Sequence, residues 1–258
     1  MTTPIEHTQL SQLSELLHFG DITQEQAVIN GQLDGTIKQP EVLLWLYNQE
    51  GIILGCSQRL SPEQRQRARE YSLPHLRRGS GGGAVLAGPW MLSVSIFIPN
   101  SHPIVKSNIV KAFSWLEQIW EKSLTEKGID CRGVNKNDIE QSKQFAKSHG
   151  LEWACYGSLS YGEIVCPQGK KLVGLAQIRK RAGVVLVSGL NLSPFDWRPL
   201  CDVVNSHIEA APILAQMNNY CSELTGQTVD VLLPKTIESF INNLPSEFNL
   251  IPSLGDKK

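Results

Sequence analysis

The chain has 258 residues, with 24 Lys+Arg against 25 Asp+Glu and a formal charge of -1. Hydrophobic residues make up 41% and charged residues 19%, at a mean hydropathy of -0.16, which suits a folded globule and excludes a disordered polyelectrolyte. No basic stripe is interleaved with aromatics, which argues against nucleic acid as the main ligand, and no apolar run reaches the roughly 20 residues that span a bilayer. Met1 to Gln9 carries no basic region followed by an apolar stretch, so the expectation is a cytoplasmic protein with no membrane partner.

In chain order, Leu10, Leu13, Leu16 and Leu17 recur at helical spacing and predict a short amphipathic helix. Val42–Tyr47 and Ile52–Leu54 are apolar runs separated by the turn-like Asn48-Gln49-Glu50-Gly51, which predicts a strand hairpin. Ser61-Pro62-Glu63 gives cap, first-turn proline and acid in order, so a short solvated helix over Gln64–Glu70 follows. Leu92, Val94, Ile96 and Ile98 alternate with Ser93, Ser95 and Phe97, the pattern of a half-buried strand. Ile109, Phe113, Leu116 and Trp120 share one helical face between Lys106 and Lys127, with Trp115 and Trp120 read as core. Val134–Gly150 is polar and lysine-rich and reads as a surface insertion with a helix from Asn137 to His149.

Gly162–Val165, Leu172–Ile178 and Val184–Leu192 predict an antiparallel meander. Two helices follow, near Ile208–Leu224, with Pro212 in its first turn or kinking it, and over Lys235–Leu244. Strands mixed with helices, without regular β-α-β alternation, give an α+β fold in one domain, 1–258, with a mixed, mostly antiparallel sheet backed by helices.

Six cysteines (Cys56, Cys131, Cys155, Cys166, Cys201, Cys221) form no C-x-x-C pair and the histidines no H-x-x-x-H pair, so no metal site is expected. Three segments carry candidate chemistry. Arg77-Arg78-Gly79-Ser80-Gly81-Gly82-Gly83-Ala84-Val85 lets backbone N–H groups approach a ligand while the arginines supply fixed charge; a glycine run alone would fit a flexible turn. Gly169-Lys170-Lys171-Leu172-Val173-Gly174-Leu175-Ala176-Gln177 aims a lysine at the mouth of an apolar strand, where an ammonium can polarise a carbonyl. Trp153-Ala154-Cys155-Tyr156-Gly157-Ser158 places a thiol in a small-residue loop shortly before that lysine, and a thiol near an ammonium is a candidate nucleophile.

Together with Ile53-Leu54-Gly55-Cys56-Ser57-Gln58, these segments resemble the biotin/lipoate protein ligase superfamily, in particular lipoate-protein ligase A and the Cys-Lys octanoyltransferase branch, over about residues 42–192. The resemblance implies the superfamily's catalytic fold, with Arg77, Arg78, Ser80, Gly81, Gly82, Gly83 and Ala84, and Gly174 and Ala176 of the later element, as residues binding the acyl group. It implies Lys171 as the lysine contacting the acyl carbonyl and Cys155 as a nucleophile that carries the acyl group as a thioester. The implied reaction moves an octanoyl or lipoyl group to a lysine of a lipoyl domain or glycine-cleavage H protein, with acyl carrier protein as one candidate donor and no tightly bound cofactor.

A second branch, the lipoate ligases, uses ATP and magnesium to form lipoyl-AMP and has an Arg/Asn-Asp-Ile/Leu segment directly before the lysine turn. Here Tyr161-Gly162-Glu163-Ile164 occupies that place, while Asn137-Asp138-Ile139 lies far upstream and reads as coincidence. The last sixty or so residues leave little room for the extra C-terminal domain of many ligases. A third reading, a non-catalytic acyl-binding homologue, is motivated by Ala87-Gly88-Pro89-Trp90, where many members have His-Asp. Cys56 ranks second as nucleophile, Cys166 reads as structural and His75 as solvated, and Arg179-Lys180-Arg181 reads as a solvated basic turn on which an acidic lipoyl domain could dock.

Overall fold

In a computed structural model, residues 15–106, 109–205 and 207–253 are described. The long strands are rich in β-branched and large apolar residues: β2 (Glu41–Tyr47), β6 (Met91–Ile98), β9 (Lys171–Arg179) and β10 (Val184–Asn191). With β1 (Leu17–Gly20), β7 (Arg132–Gly133) and β8 (Ile164–Val165) they form a mixed sheet in the order β1-β2-β6-β10-β9-β8-β7, and β11 (Asn249–Leu250) adds to β2. Only β1 and β11 run parallel to β2; the other pairs are antiparallel. The α+β class with a mostly antiparallel sheet is thus observed, and the meander over β8, β9 and β10 forms as expected.

A second sheet, β4-β3-β5, is built from β3 (Gly51–Leu54), β4 (His75–Arg77) and β5 (Val85–Ala87). This corrects the expected hairpin. The open edge of β2 is taken by β1, with Leu17 opposite Leu44, and β3 turns away to pair with β4 and β5. Asn48 N–H donates to Gly20 O at 3.0 Å, which ties the turn to β1 rather than to β3.

β6 is buried on both sides, not half-buried, because each face of the main sheet is covered. On one face lie α3 (Ile109–Thr125) and α7 (Val229–Asn242), whose Leu116, Trp120, Leu124, Ile237 and Phe240 pack against Leu92, Val94, Ile96 and Leu190. The other face carries the small sheet, α5 (Arg198–Asn205), α6 (Ala211–Met217) and α1 (Ile22–Asp34), a helix for which the sequence reading made no provision. Asp21 and Gln24 form a reciprocal capping box that starts α1. The expected helix over Leu10–Leu17 falls largely outside the described residues, and its last residue, Leu17, opens β1.

Ser61 caps α2 (Pro62–Glu70) as the sequence indicates, and its side chain accepts from Gln64 N. The lysine-rich segment folds as α4 (Lys136–Ser148), with Ile139 and Ala146 buried. The single helix expected over Ile208–Leu224 is instead a 3-10 turn, α6 with Pro212 in its first turn, and a short helix over Cys221–Thr225. The break has a local cause: Asn218 Nδ2 donates to Leu214 O at 2.6 Å and Tyr156 O at 3.2 Å, and Asn219 N donates to Lys171 O at 2.9 Å. Helix α7 begins at Val229, earlier than Lys235, and accommodates Pro234.

Candidate active site

Three loops converge at one end of the small sheet. Ala84 N–H donates to Trp153 O at 2.8 Å and Cys155 N–H donates to Ala84 O at 2.9 Å, so the glycine loop and the cysteine loop are stitched together by backbone. Gln58 joins them to the first motif: its Oε1 accepts from Gly55 N and its Nε2 donates to Trp153 O, both at 2.9 Å. Gly83 permits the approach, since a Cβ there would lie 2.5 Å from Trp153 O and 2.6 Å from Cys155 N. Gly82 has φ +92°, a conformation that side-chain-bearing residues rarely adopt.

Arg78 organises the loop from inside. Its Nη2 donates to Gly81 O at 2.9 Å and Gly83 O at 3.1 Å and lies 3.8 Å from Cys155 Sγ. The half-buried Cys155 opens a short 3-10 turn, Cys155–Gly157. The thiol borders a cavity of about 640 Å³ of free space, its mouth included, that runs between the small sheet, α1 and the main sheet. Of the residues assigned to acyl binding, Arg78, Ser80, Gly174 and Ala176 line it, with Tyr156 beside the thiol and Val85, Met91, Val187 and Ile178 as apolar wall.

Other candidates stand apart from this cavity. Arg77 is an exposed strand residue whose Nη1 reaches Cys56 O at 3.4 Å, and Gly81 and Gly82 face solvent. Ala84 is 1% exposed and holds backbone rather than ligand. The exposed Cys56 does not line the cavity, which corrects its ranking as a second nucleophile. Cys166 is fully buried and receives a bond from Asn219 Nδ2 at 3.5 Å, in keeping with a packing role. His75 is exposed. In the basic turn, Arg179 donates to Val105 O at 3.0 Å and Lys180 lies 4.0 Å from Asp34. Asp138 of the upstream Asn-Asp-Ile accepts from Arg132 at 2.6 Å and from Asn135 N at 2.9 Å, so that segment is a helix start. Trp90, in place of a His-Asp pair, stacks on Phe195 at 4.4 Å.

Lys171 differs most from expectation. It does not line the cavity: it is 1% exposed and its Nζ donates to Glu163 Oε1 and to Cys155 O, both at 2.9 Å, while lying 5.0 Å from the Tyr156 ring centre. Glu163 Oε2 accepts from Ser160 N at 2.8 Å. Burial pushes the Glu163 carboxyl above the usual carboxylate range, and Lys171 offsets part of that. The pair therefore braces the backbone of the cysteine from behind. Glu163 lies in the Tyr161–Ile164 segment, whose pattern alone assigns it no role; a carboxylate eight residues ahead of a strand-mouth lysine is its signal in the sequence.

The family model of the lipoyl protein ligase A/B catalytic domain matches residues 24–244. The chain belongs to that family. Octanoyltransferase LipM of Staphylococcus aureus (strain NCTC 8325 / PS 47) is 26% identical over 184 residues, 71% of this chain and 64% of that protein. Octanoyltransferase LipM of Clostridioides difficile (strain 630) is 23% identical over 239 residues, 90% of this chain and 83% of that protein. The matched part of the first of these relatives is thus just under two thirds of its length. Among solved structures, a bi-partite lipoate protein ligase from Thermoplasma acidophilum, in a study with its E2 lipoyl domain, superposes with TM-score 0.67 at 15% identity, covering 94% of this chain and 88% of that one. The lipoyl protein ligase fold is shared. No helix among the described residues is long and apolar enough to cross a membrane.

Proposed function

We propose that this lipoyl protein ligase family member transfers an octanoyl or lipoyl group to a specific lysine of a lipoyl domain or glycine-cleavage H protein through a thioester on Cys155. One observation carries the reading: a half-buried thiol stands at the wall of a mostly apolar cavity, 3.8 Å from a fixed guanidinium and beside a glycine loop. The naming of the curated relatives as octanoyltransferases supports it.

In the first step Cys155 Sγ bonds to the carbonyl carbon of an acyl thioester, and the donor's thiol leaves with a proton. In the second, the acceptor lysine's amine nitrogen bonds to the same carbon, the C–S bond breaks, and Cys155 regains its proton. Gly82 lies at the solvent side of the thiol, where a Cβ on it would be 3.9 Å from Cys155 Sγ, and its N–H donates no backbone hydrogen bond among the described residues, so we assign that N–H to the oxyanion of either tetrahedral intermediate. Arg78 can pair with charge that develops on sulfur. Lys171 acts through Cys155 as a positioning residue, holding its carbonyl while Glu163 holds Lys171.

The test mixes the purified protein and an apo lipoyl domain with octanoyl-acyl carrier protein alone, or with lipoate, ATP and magnesium. Octanoylated acceptor without ATP, lost in Cys155→Ala, is expected. Modification only with lipoate and ATP, unaffected by that substitution, would assign the ATP-dependent ligase reading and leave Cys155 as a wall residue. Acyl binding without product from either mixture would assign the non-catalytic reading.

A further inference from the structure

The cavity is apolar along most of its length, yet one wall is a buried polar cluster. Ser93 Oγ donates to Glu25 Oε1 at 2.6 Å and Tyr47 Oη donates to Glu25 Oε2. Glu25 is 4% exposed and sits on the stripe of α1 formed by Ile22, Ile29 and Leu33. Both carboxyl oxygens are thus occupied, and burial raises the carboxyl above its ordinary range.

The sheet register places this cluster relative to the thiol. Tyr156, next to Cys155, donates through Oη to Gly189 O at 3.0 Å and so lies over the β9–β10 pair, where Gly174 faces Gly189. Gly189 in turn faces Ser93 on β6. Ser93 is therefore two strands from Gly174, roughly 10 Å at the usual strand spacing. An extended chain advances roughly 1.2 Å per bond, so an octanoyl group spans roughly 8–9 Å from carbonyl carbon to methyl. Cys155, Gly174, Ser93 and Glu25 line the same cavity, so an acyl chain whose carbonyl lies over Gly174 and that runs straight across the strands brings its methyl to the level of Ser93 and Glu25.

We propose that Glu25, held by Tyr47 and Ser93, is the end stop of the acyl cavity and limits its occupant to straight chains of about eight carbons. The inference rests on the acyl-cavity reading above. A longer chain must enter space held by three mutually hydrogen-bonded polar groups and returns no hydrogen bond to them, so each added methylene is opposed by volume and by desolvation.

The test is calorimetric binding of hexanoate, octanoate, decanoate and dodecanoate, which needs no turnover. In the unchanged protein affinity should rise to octanoate and fall at least tenfold at dodecanoate. Glu25→Ala should bind dodecanoate at least tenfold more tightly than the unchanged protein, and Glu25→Gln, which keeps volume and hydrogen bonding, should keep the eight-carbon limit. If Glu25→Ala does not fold, Glu25→Asp, one methylene shorter, is expected to admit decanoate. Identical length profiles in the unchanged protein and the shortened variant, or no binding of any of the four acids, would overturn the proposal. A Glu25-dependent profile in a protein that transfers no acyl group from any donor would uphold the end stop and reject the transferase reading.

Discussion

The two faces of the main sheet solve different problems with the same strands. Along β6, Leu92, Val94, Ile96 and Ile98 enter the solid layer formed with α3 and α7, where Trp120 lies 4.4 Å from Phe240 and its Nε1 donates to Ser188 Oγ at 3.0 Å. The alternate residues Met91, Ser93, Ser95 and Phe97 face the other way, and there β9 and β10 present Gly174, Ala176 and Gly189. One face is filled with large side chains and carries stability. The other is emptied by small ones, and the space left is the cavity.

The sharpest way to break this contrast is on the solid face. Trp120→Ala removes a fully buried side chain and its bond to Ser188, and should cost about 3–5 kcal/mol in chemical denaturation while leaving the transfer rate of the folded fraction unchanged. A large rate effect with little loss of stability would contradict the division. Lys171→Met should cost a similar amount, about 3–5 kcal/mol, by leaving Glu163 buried without its partner. Adding Glu163→Leu should restore much of the stability but not the rate, since Cys155 O still lacks its donor; equal recovery of both would make the pair a packing feature only.

On the emptied face a smaller change should act in the opposite sense. A Cβ at Gly174 would lie 3.1 Å from Tyr156 Oη. Gly174→Ala is expected to cost about 1–3 kcal/mol as local overpacking, and to slow transfer about tenfold by shifting the turn that carries Cys155. The smallest effect is a pH dependence. Because burial raises the Glu25 carboxyl in the folded state, the folded protein binds this proton more tightly than the unfolded chain. Its contribution is therefore favourable at acid pH and is lost as pH rises through the folded value. The Glu25→Gln protein lacks this loss, so its melting temperature relative to the unchanged protein should climb as pH rises above the ordinary carboxylate range. A constant difference would mean that Glu25 titrates as an exposed carboxylate.

Much of the site could be read from the chain because loops with unusual composition carry it. Arg78 and Ala84 of the glycine run and the Lys171 ammonium all meet the Cys155 loop, and the fold class followed from strand patterns. What escaped depends on tertiary partners. Helix α1 has a mixed sequence, and Glu25 falls where the Ile22, Ile29 and Leu33 stripe calls for an apolar residue; the capping box at Asp21 and Gln24 was the available signal. The β2–β3 hairpin failed because a turn composition does not say that another strand, β1, will take the shared edge. Lys171 was found, but its direction was not, since the carboxylate that captures it comes from a neighbouring loop.

The central claim is the acyl-enzyme, and it is tested most directly by intact-mass analysis and peptide mapping after mixing the protein with octanoyl-acyl carrier protein and no acceptor. One octanoyl adduct on the Cys155 peptide, released by hydroxylamine as a thioester and absent in Cys155→Ala, is expected. No adduct on the Cys155 peptide, or an equal octanoyl adduct that persists in Cys155→Ala, would contradict the claim.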